Sequence, residues 1–221
     1  MSATPPRFPL VALAVALVAG AASAACIGGS SLTPTYFALE APPPVAAPRA
    51  PFPATIRVRR FEAAAAYDRQ ELVYRSGQAL RFDAYRLWVT KPARMLREAV
   101  ARHLADARLF RAVVGRSGGE SPDYELAGEV ITLDELDVAP REWQARLAMR
   151  FELVRASDGA VVWQHAFAAE RPVTSGKPAD VVAALDAILA DELATLSDGL
   201  TGYLAGLPAT GQPAADSTGP R

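Results

Sequence analysis

The strongest constraint in this sequence is a strict alternation of apolar and polar residues between Glu142 and Leu153. Every odd position there is apolar, from Trp143 onward, whereas the even positions are polar apart from Ala148. Because successive side chains of a strand point to opposite faces of a sheet, this pattern predicts a strand with one buried and one wet face. The turn at Ser157-Asp158-Gly159 then predicts a hairpin.

Further strands are predicted on both sides of this hairpin. The return strand, from Val161 to Val173, repeats the alternation, and a strand from Tyr124 to Thr132 can pair as the third member of a meander. The first half of the chain contains four more apolar segments typical of strands, at residues 55–61, 71–75, 80–89 and 109–114.

Two segments have the periodicity of amphipathic helices. Pro92 opens the first, in which apolar residues recur at intervals of three and four, and Pro178 opens a longer one that ends near Gly206. Each helix has a single apolar stripe to bury. The sequence therefore predicts an α+β two-layer sandwich, with a mainly antiparallel sheet and two helices packed on one face.

The first 25 residues have the features of a secretory signal. Their apolar stretch, residues 10–19, is about half the length that spans a bilayer, and small residues lead up to Cys26, the sole cysteine. This placement predicts a lipoprotein in which Cys26 is acylated. Ala22-Ser23-Ala24 also fits ordinary signal cleavage, which would leave a soluble periplasmic protein. Ser23 occupies a position where lipoprotein signals usually carry leucine.

Composition divides the rest of the chain into three parts. Residues 26–54 are rich in proline and predict an extended tether, although Tyr36 to Leu39 is apolar enough to dock on the domain. The folded domain is predicted at 55–206. The Pro-, Gly- and Ala-rich residues 207–221 predict a disordered tail.

Several function classes find no support in the sequence. The net charge is −1 and no long run of one sign occurs, so no nucleic-acid footprint is present. No phosphate-binding glycine motif occurs, and His103 and His165 lack the spacing of metal ligands, so we predict no cofactor and no metal.

One motif resembles the nucleophile elbow of hydrolases. Residues 115–119 match G-x-S-x-G around Ser117, and Asp134 or Asp137 followed by His165 supplies the hydrolase order. An elbow needs a helix after the nucleophile, whereas a strand is predicted here. We therefore predict that the protein is not an enzyme.

Arginines on the first predicted strands form a cationic edge, and aromatic residues lie close to them in the sequence. We predict that the contact surface for a partner includes Tyr85, Trp88, Arg57, Arg59 and Arg86, since aromatic and arginine side chains dominate interfaces. A solvated strand face is the alternative for the arginines, and core packing is the alternative for Trp88.

The chain resembles the auxiliary lipoprotein component of ABC-type transport systems, a family that includes the PqiC-like lipoproteins accompanying MCE-domain lipid-transport proteins. The resemblance spans residues 33–200 and depends on the order of several short segments. These are Thr35–Leu39, Val58–Phe61, Tyr67-Asp68, Leu72–Arg75, Tyr85–Trp88 and Asp123–Leu126.

The resemblance implies a periplasmic domain tethered to the inner leaflet of the outer membrane. Its implied partners are an MCE-domain protein and the ABC permease and ATPase of the same system. Ile27 after the cysteine, in place of Asp, is the residue that the family's sorting would read as export to the outer membrane. A periplasmic module that holds lipid in a groove between sheet and helices is the alternative, and a small exported hydrolase is a third.

Overall fold

The computed structural model of the protein describes residues 33–40, 43–44, 50–115 and 121–207. Cys26, the signal, Ser117 and residues 208–221 therefore lie outside the described residues. In chain order the described elements are β1 (Thr35–Phe37), β2 (Phe52–Val58), β3 (Glu62–Ala63), β4 (Glu71–Ser76), β5 (Ala79–Trp88), α1 (Pro92–Asp106), β6 (Phe110–Val113), β7 (Tyr124–Ala139), β8 (Glu142–Arg155), β9 (Val161–Val173) and α2 (Pro178–Ala205).

Strand β7, 16 residues long, organises the sheet. One of its edges pairs antiparallel with β8 from Tyr124↔Arg155 to Ala139↔Glu142, and β9 continues the meander. Its other edge pairs in parallel with β2, then β3, then β4, as the chain advances along the strand. The strands β5 and β1 lie beyond β4, and β6 lies beyond β2.

The α+β class is confirmed, but the expectation of a mainly antiparallel sheet is wrong. Five of the eight strand pairings between described residues are parallel, so the sheet is mixed. The physical reason is that only hairpin pairings are signalled by residues close in the sequence, namely those of the connecting turn. A parallel pairing joins strands that are distant in the chain, so no turn residue reveals it.

The two faces of the sheet differ in what covers them. The odd positions of β8 lie in the core, with Ala145, Leu147 and Met149 fully buried. Both helices pack on this face, α1 against β2, β3, β6 and β7, and α2 against β8 and β9. The opposite face, here called the outer face, carries the even positions of β8. The alternation predicted from the sequence is thus confirmed.

Two pieces of the segment predicted as tether belong to the sheet. The strand β1 pairs in parallel with β5, and Leu39 just beyond it is buried. The amide of Glu40 donates a hydrogen bond to the Asp186 carboxylate at 2.7 Å, and β2 begins at Phe52. Among the described residues, neither helix is long and apolar enough to cross a membrane.

Two glycine substitutions on α2, one at its contact with β9 and one away from it, test how closely the helix packs on that strand. A Cβ at Gly199 would approach Trp163 Cζ2 to 2.8 Å, whereas a Cβ at Gly202, on the same helix, would meet nothing within 4 Å. We expect Gly202→Ala to stabilise the protein by about 0.5–1 kcal/mol, because alanine is the better helix former. Gly199→Ala should destabilise it by about 1–3 kcal/mol, because the indole must shift.

Urea unfolding of the two variants measures both effects. Equal stabilisation by the two substitutions would show that α2 does not dock on Trp163 as described.

Candidate functional site

The structure separates the residues that the sequence predicts as one contact surface. Arg57 and Arg59 lie at the end of β7 that pairs with β2, whereas Tyr85 and Arg86 lie on β5, near the end that pairs with β4. Leu87, next to Arg86, opposes Glu71, which precedes the Tyr74↔Glu135 pair by three positions, whereas Arg57 pairs with Glu125. The two groups are thus about seven positions apart along β7, which corresponds to about 23 Å at 3.3 Å per residue. Trp88 belongs to neither group, because it is 2% exposed and packs in the core.

The first group is built on the outer face by strand alternation. Ile56 and Val58 are buried, so the intervening Arg57 points to the outer face. Arg57 NH1 lies 3.4 Å from Glu125 Oε1, and Arg59 Nε donates to Glu125 Oε2 at 2.7 Å. Two guanidinium groups thus share one carboxylate. The Arg59 side chain remains 47% exposed and able to reach a second partner.

Further charged residues extend this group across the outer face. Arg150 forms an ion pair with Glu129, and Gln164 donates to Glu152 at 3.2 Å. We call the set Arg57, Arg59, Glu125, Glu129, Arg150 and Glu152 the charge ladder. Part of the ladder lines a shallow depression of about 280 Å³. Exposed ion pairs of this kind contribute only about 0–1 kcal/mol to stability, so folding alone gives little reason for them.

Asp134, farther along the outer face, is the centre of a buried polar network. Arg146 binds it with two hydrogen bonds, Nε to Oδ1 and NH2 to Oδ2, each 2.8 Å long. The Tyr67 hydroxyl donates to Oδ2 at 2.7 Å, and Arg75 Nε reaches the same oxygen at 3.3 Å. The network fixes β4 and the loop before it onto β7 and β8. Because both of its carboxylate oxygens already accept hydrogen bonds from neighbouring strands and loop, we assign Asp134 a structural role.

The second group surrounds an irregularity in β5. Between Glu71↔Leu87 and Val73↔Phe82 the register shifts, so β5 bulges. The Asp83 carboxylate accepts hydrogen bonds from the amides of Tyr85 and Arg86 at 2.9 and 3.0 Å. Two backbone N–H groups of the bulge thereby gain a hydrogen-bond partner. Arg86 also forms an ion pair with Asp83. Tyr85 is left exposed at this bulge.

Glu135 is a buried acid that the sequence analysis does not single out. It lies on the helix-covered face, opposite Tyr74, and its Oε2 is buried without a hydrogen-bond partner among the described residues. Burial raises the pKa of Glu135 to about 7, and the nearby charge of Asp137 acts in the same direction, while Arg86 opposes them. A carboxyl with such a pKa titrates close to neutral pH.

A groove of about 480 Å³ lies between the C-terminal parts of α1 and α2. His103 Nε2 and Ser197 Oγ are 2.7 Å apart in its wall, and burial lowers the pKa of His103, which favours the uncharged ring. Most of the lining is apolar, with Phe52, Leu109 and Leu204 as its largest members. The space between sheet and helices is instead filled by core side chains.

The described members of the hydrolase constellation do not meet. His165 lies in an aromatic stack, with its ring 5.8 Å from Trp163 and 6.5 Å from Phe151. Its strand partner Phe151 is in the core, whereas Asp134 belongs to the outer face and is held by Arg146. Within the described ranges, no group of three His, Cys, Asp or Glu residues could hold a metal ion.

Comparison with known proteins relates this architecture to one family. The model of the ABC-type transport auxiliary lipoprotein component matches residues 37–196. A crystal structure of protein XCC0632 from Xanthomonas campestris, of the family DUF330, aligns with a TM-score of 0.67 at 24% identity, covering 77% of this chain and 96% of that one. The crystal structure of an uncharacterized protein aligns with a TM-score of 0.60 at 14% identity, covering 76% and 99%.

Structural similarity at these low sequence identities shows a shared fold. No curated protein matches the sequence.

Glu135 predicts a specific dependence of stability on pH. Its native pKa of about 7 exceeds the ordinary value of 4.5, so the native state holds this proton to higher pH than the unfolded chain does. The contribution of Glu135 to stability therefore falls as pH rises from about 4.5 to about 7. We expect Glu135→Gln to match the natural protein near pH 4.5 and to be the more stable of the two above pH 7.

Urea unfolding at a series of pH values measures the difference between the two proteins. A difference that stays constant across this range would contradict the raised pKa.

Proposed function

The chain belongs to the family of ABC-type transport auxiliary lipoprotein components, and from that premise we propose that it is the docking subunit of an envelope lipid transporter. In this proposal, acylated Cys26 anchors the chain in the periplasmic face of the outer membrane. The domain contacts the MCE-domain protein that works with the permease and ATPase of the same system. The chain thereby aligns the periplasmic assembly with the membrane that receives or supplies lipid.

The observation that carries the proposal is the outer face with its charge ladder, which neither of the two described helices covers. Both helices pack on the other face, so the ladder residues are accessible to a partner. Alternating charges favour a complementary surface and disfavour others, and they add little to folding. Of the residues predicted from the sequence, this assigns Arg57 and Arg59 to partner contact.

Charge reversal on the ladder tests the partner surface. We expect Arg59→Glu combined with Arg150→Glu to weaken co-purification of the MCE-domain protein about tenfold, with the loss largest at low salt. Arg94→Glu is the matched control. Arg94 also forms an exposed ion pair, at 3.0 Å with Glu98, but it lies on α1, in the layer opposite the ladder.

The comparison requires that the double charge-reversal variant is folded, with a melting temperature within a few degrees of that of the natural protein. Undiminished co-purification by a folded double variant would contradict the assignment of the ladder. An equal loss for Arg94→Glu would show that overall charge, and not this surface, is responsible.

The anchor is tested at Cys26. We expect Cys26→Ser to move the protein from the membrane fraction to the soluble periplasmic fraction, because a thiol is needed for acylation. Mass spectrometry of the natural mature protein should find a lipid-modified N-terminal cysteine. An unmodified N-terminus generated by cleavage after Ala24 would instead support the soluble alternative. Ser23→Leu serves as the control, since it restores the usual signal and should leave the mature product unchanged.

A further inference from the structure

The exposed apolar side chains of the described residues are concentrated at one edge of the sheet. Seven large hydrophobic side chains are exposed among the described residues, and four of them, Tyr36, Phe82, Tyr85 and Val89, belong to β1, β5 and the residue that follows β5. We call these four the apolar edge. Folding does not require such side chains at the surface, and clustering of this kind marks an interaction site.

Backbone pairing holds the apolar edge together. Tyr36 lies opposite Leu87, which places it within two residues of Tyr85 across the β1–β5 pair. The amide of Val89 donates to the carbonyl of Phe37 at 2.8 Å, so Val89 is tied to the same strand. The edge is therefore a preformed surface and needs no rearrangement to make contact.

An arginine accompanies the aromatic rings of this edge. The Arg69 guanidinium carbon lies 3.8 Å above the centre of the Phe82 ring. Arg86, the sequence neighbour of Tyr85, interacts with Asp83 and Tyr74. Two carboxylates are close by, on Asp83, which pairs with Arg86, and on Glu71, opposite Leu87. Tyrosine rings with arginines beside them are typical of protein segments that sit at the boundary between water and lipid headgroups.

The position of the edge in the chain identifies its partner. Thr35, the first residue of β1, is nine positions after Cys26, so an extended chain could separate them by at most about 30 Å. The strand β9 is five strand spacings away from β1, about 24 Å farther across the sheet. Of these two edges, the apolar edge is thus the one that the short segment after Cys26 keeps near the lipid leaflet.

From these observations we propose that the apolar edge lies against the surface of the membrane that holds the acyl chains. The inference rests on the acylation of Cys26 in the proposed function. It assigns Tyr85, which the sequence predicts in the partner surface, to a lipid surface instead. In this arrangement the tyrosine rings contact phospholipid headgroups and upper acyl carbons, and the charge ladder on β2, β7 and β8 remains available to a protein partner.

The single cysteine makes the proposal directly testable in the full-length lipoprotein. Because acylation would block Cys26, a cysteine introduced elsewhere is the only free thiol and can carry a bimane fluorophore. The test variant is Tyr85→Cys and the matched control is Val161→Cys on β9, since the two side chains are 47% and 49% exposed. Each is reconstituted into vesicles of three parts phosphatidylethanolamine and one part phosphatidylglycerol, with or without lipid bearing a spin label near the headgroup.

We expect the spin-labelled lipid to reduce the fluorescence at position 85 about twofold and to leave position 161 unchanged, since interfacial side chains sit within about 10 Å of the headgroup boundary. Vesicle flotation checks the anchor separately. Protein that floats without quenching at position 85, or with equal quenching at both positions, overturns the inference while the anchor stands.

Two other outcomes also overturn the proposal. Protein that does not float contradicts the anchor and, with it, this inference. A label at position 85 that is shielded from aqueous iodide but is not quenched by the lipid would show that another protein surface, or a second copy of the chain, covers the edge.

Discussion

The double pairing of β7 is the constraint on which the rest of the structure depends. One edge of this strand holds β8 along nearly its whole length, and the other holds β2, β3 and β4 in turn. The first half of the chain thus assembles on a strand that the second half supplies. Such long-range parallel pairing carries a loop-closure cost before it stabilises anything, so the helices and the buried face must compensate for it.

The Asp134 network stabilises this arrangement of strands on the outer face. Neither helix of the described residues packs on the outer face, yet Asp134 is inaccessible there and is bound by Arg146, Arg75 and Tyr67. A buried charge of this kind is tolerated only when its hydrogen bonds are met, and these partners come from β8, β4 and the loop before β4. The network therefore selects the register in which β4 meets β7, and with it the position of β5 and β1 beyond.

The sequence predicts the parts of this fold that are encoded locally. The alternation in β8 and the stripes of both helices identify those elements, because each buries one face at a regular period. The end of β7 is not predicted, since a shift of register between Val130 and Thr132 moves its later residues to the opposite parity. This bulge places Asp134 on the outer face and Glu135 on the helix-covered face. A periodic pattern that stops at Thr132 gives no sign of either.

The relative placement of the predicted contact residues could not be read from the sequence. Arginines and aromatic residues close in sequence predict one cationic edge, whereas the pairing along β7 separates Arg57 and Arg59 from Tyr85 and Arg86. Trp88 is buried because the β1 segment, which the sequence analysis assigns to a tether, pairs with β5 and packs Leu39 behind it. Aromatic residues next to arginines therefore cannot be assigned to a surface until the pairing partner of their strand is known.

The separation of the two groups suits an accessory that must meet two partners at once. A lipid surface and a protein assembly compete if they use the same side chains, whereas a separation of about 23 Å along β7 lets both be engaged at once. A rigid strand transmits this spacing better than a flexible tether, because its backbone is paired on both edges. If both proposals hold, the sheet serves as a spacer between membrane and partner, and the short segment from Cys26 to β1 determines which of its edges faces the membrane.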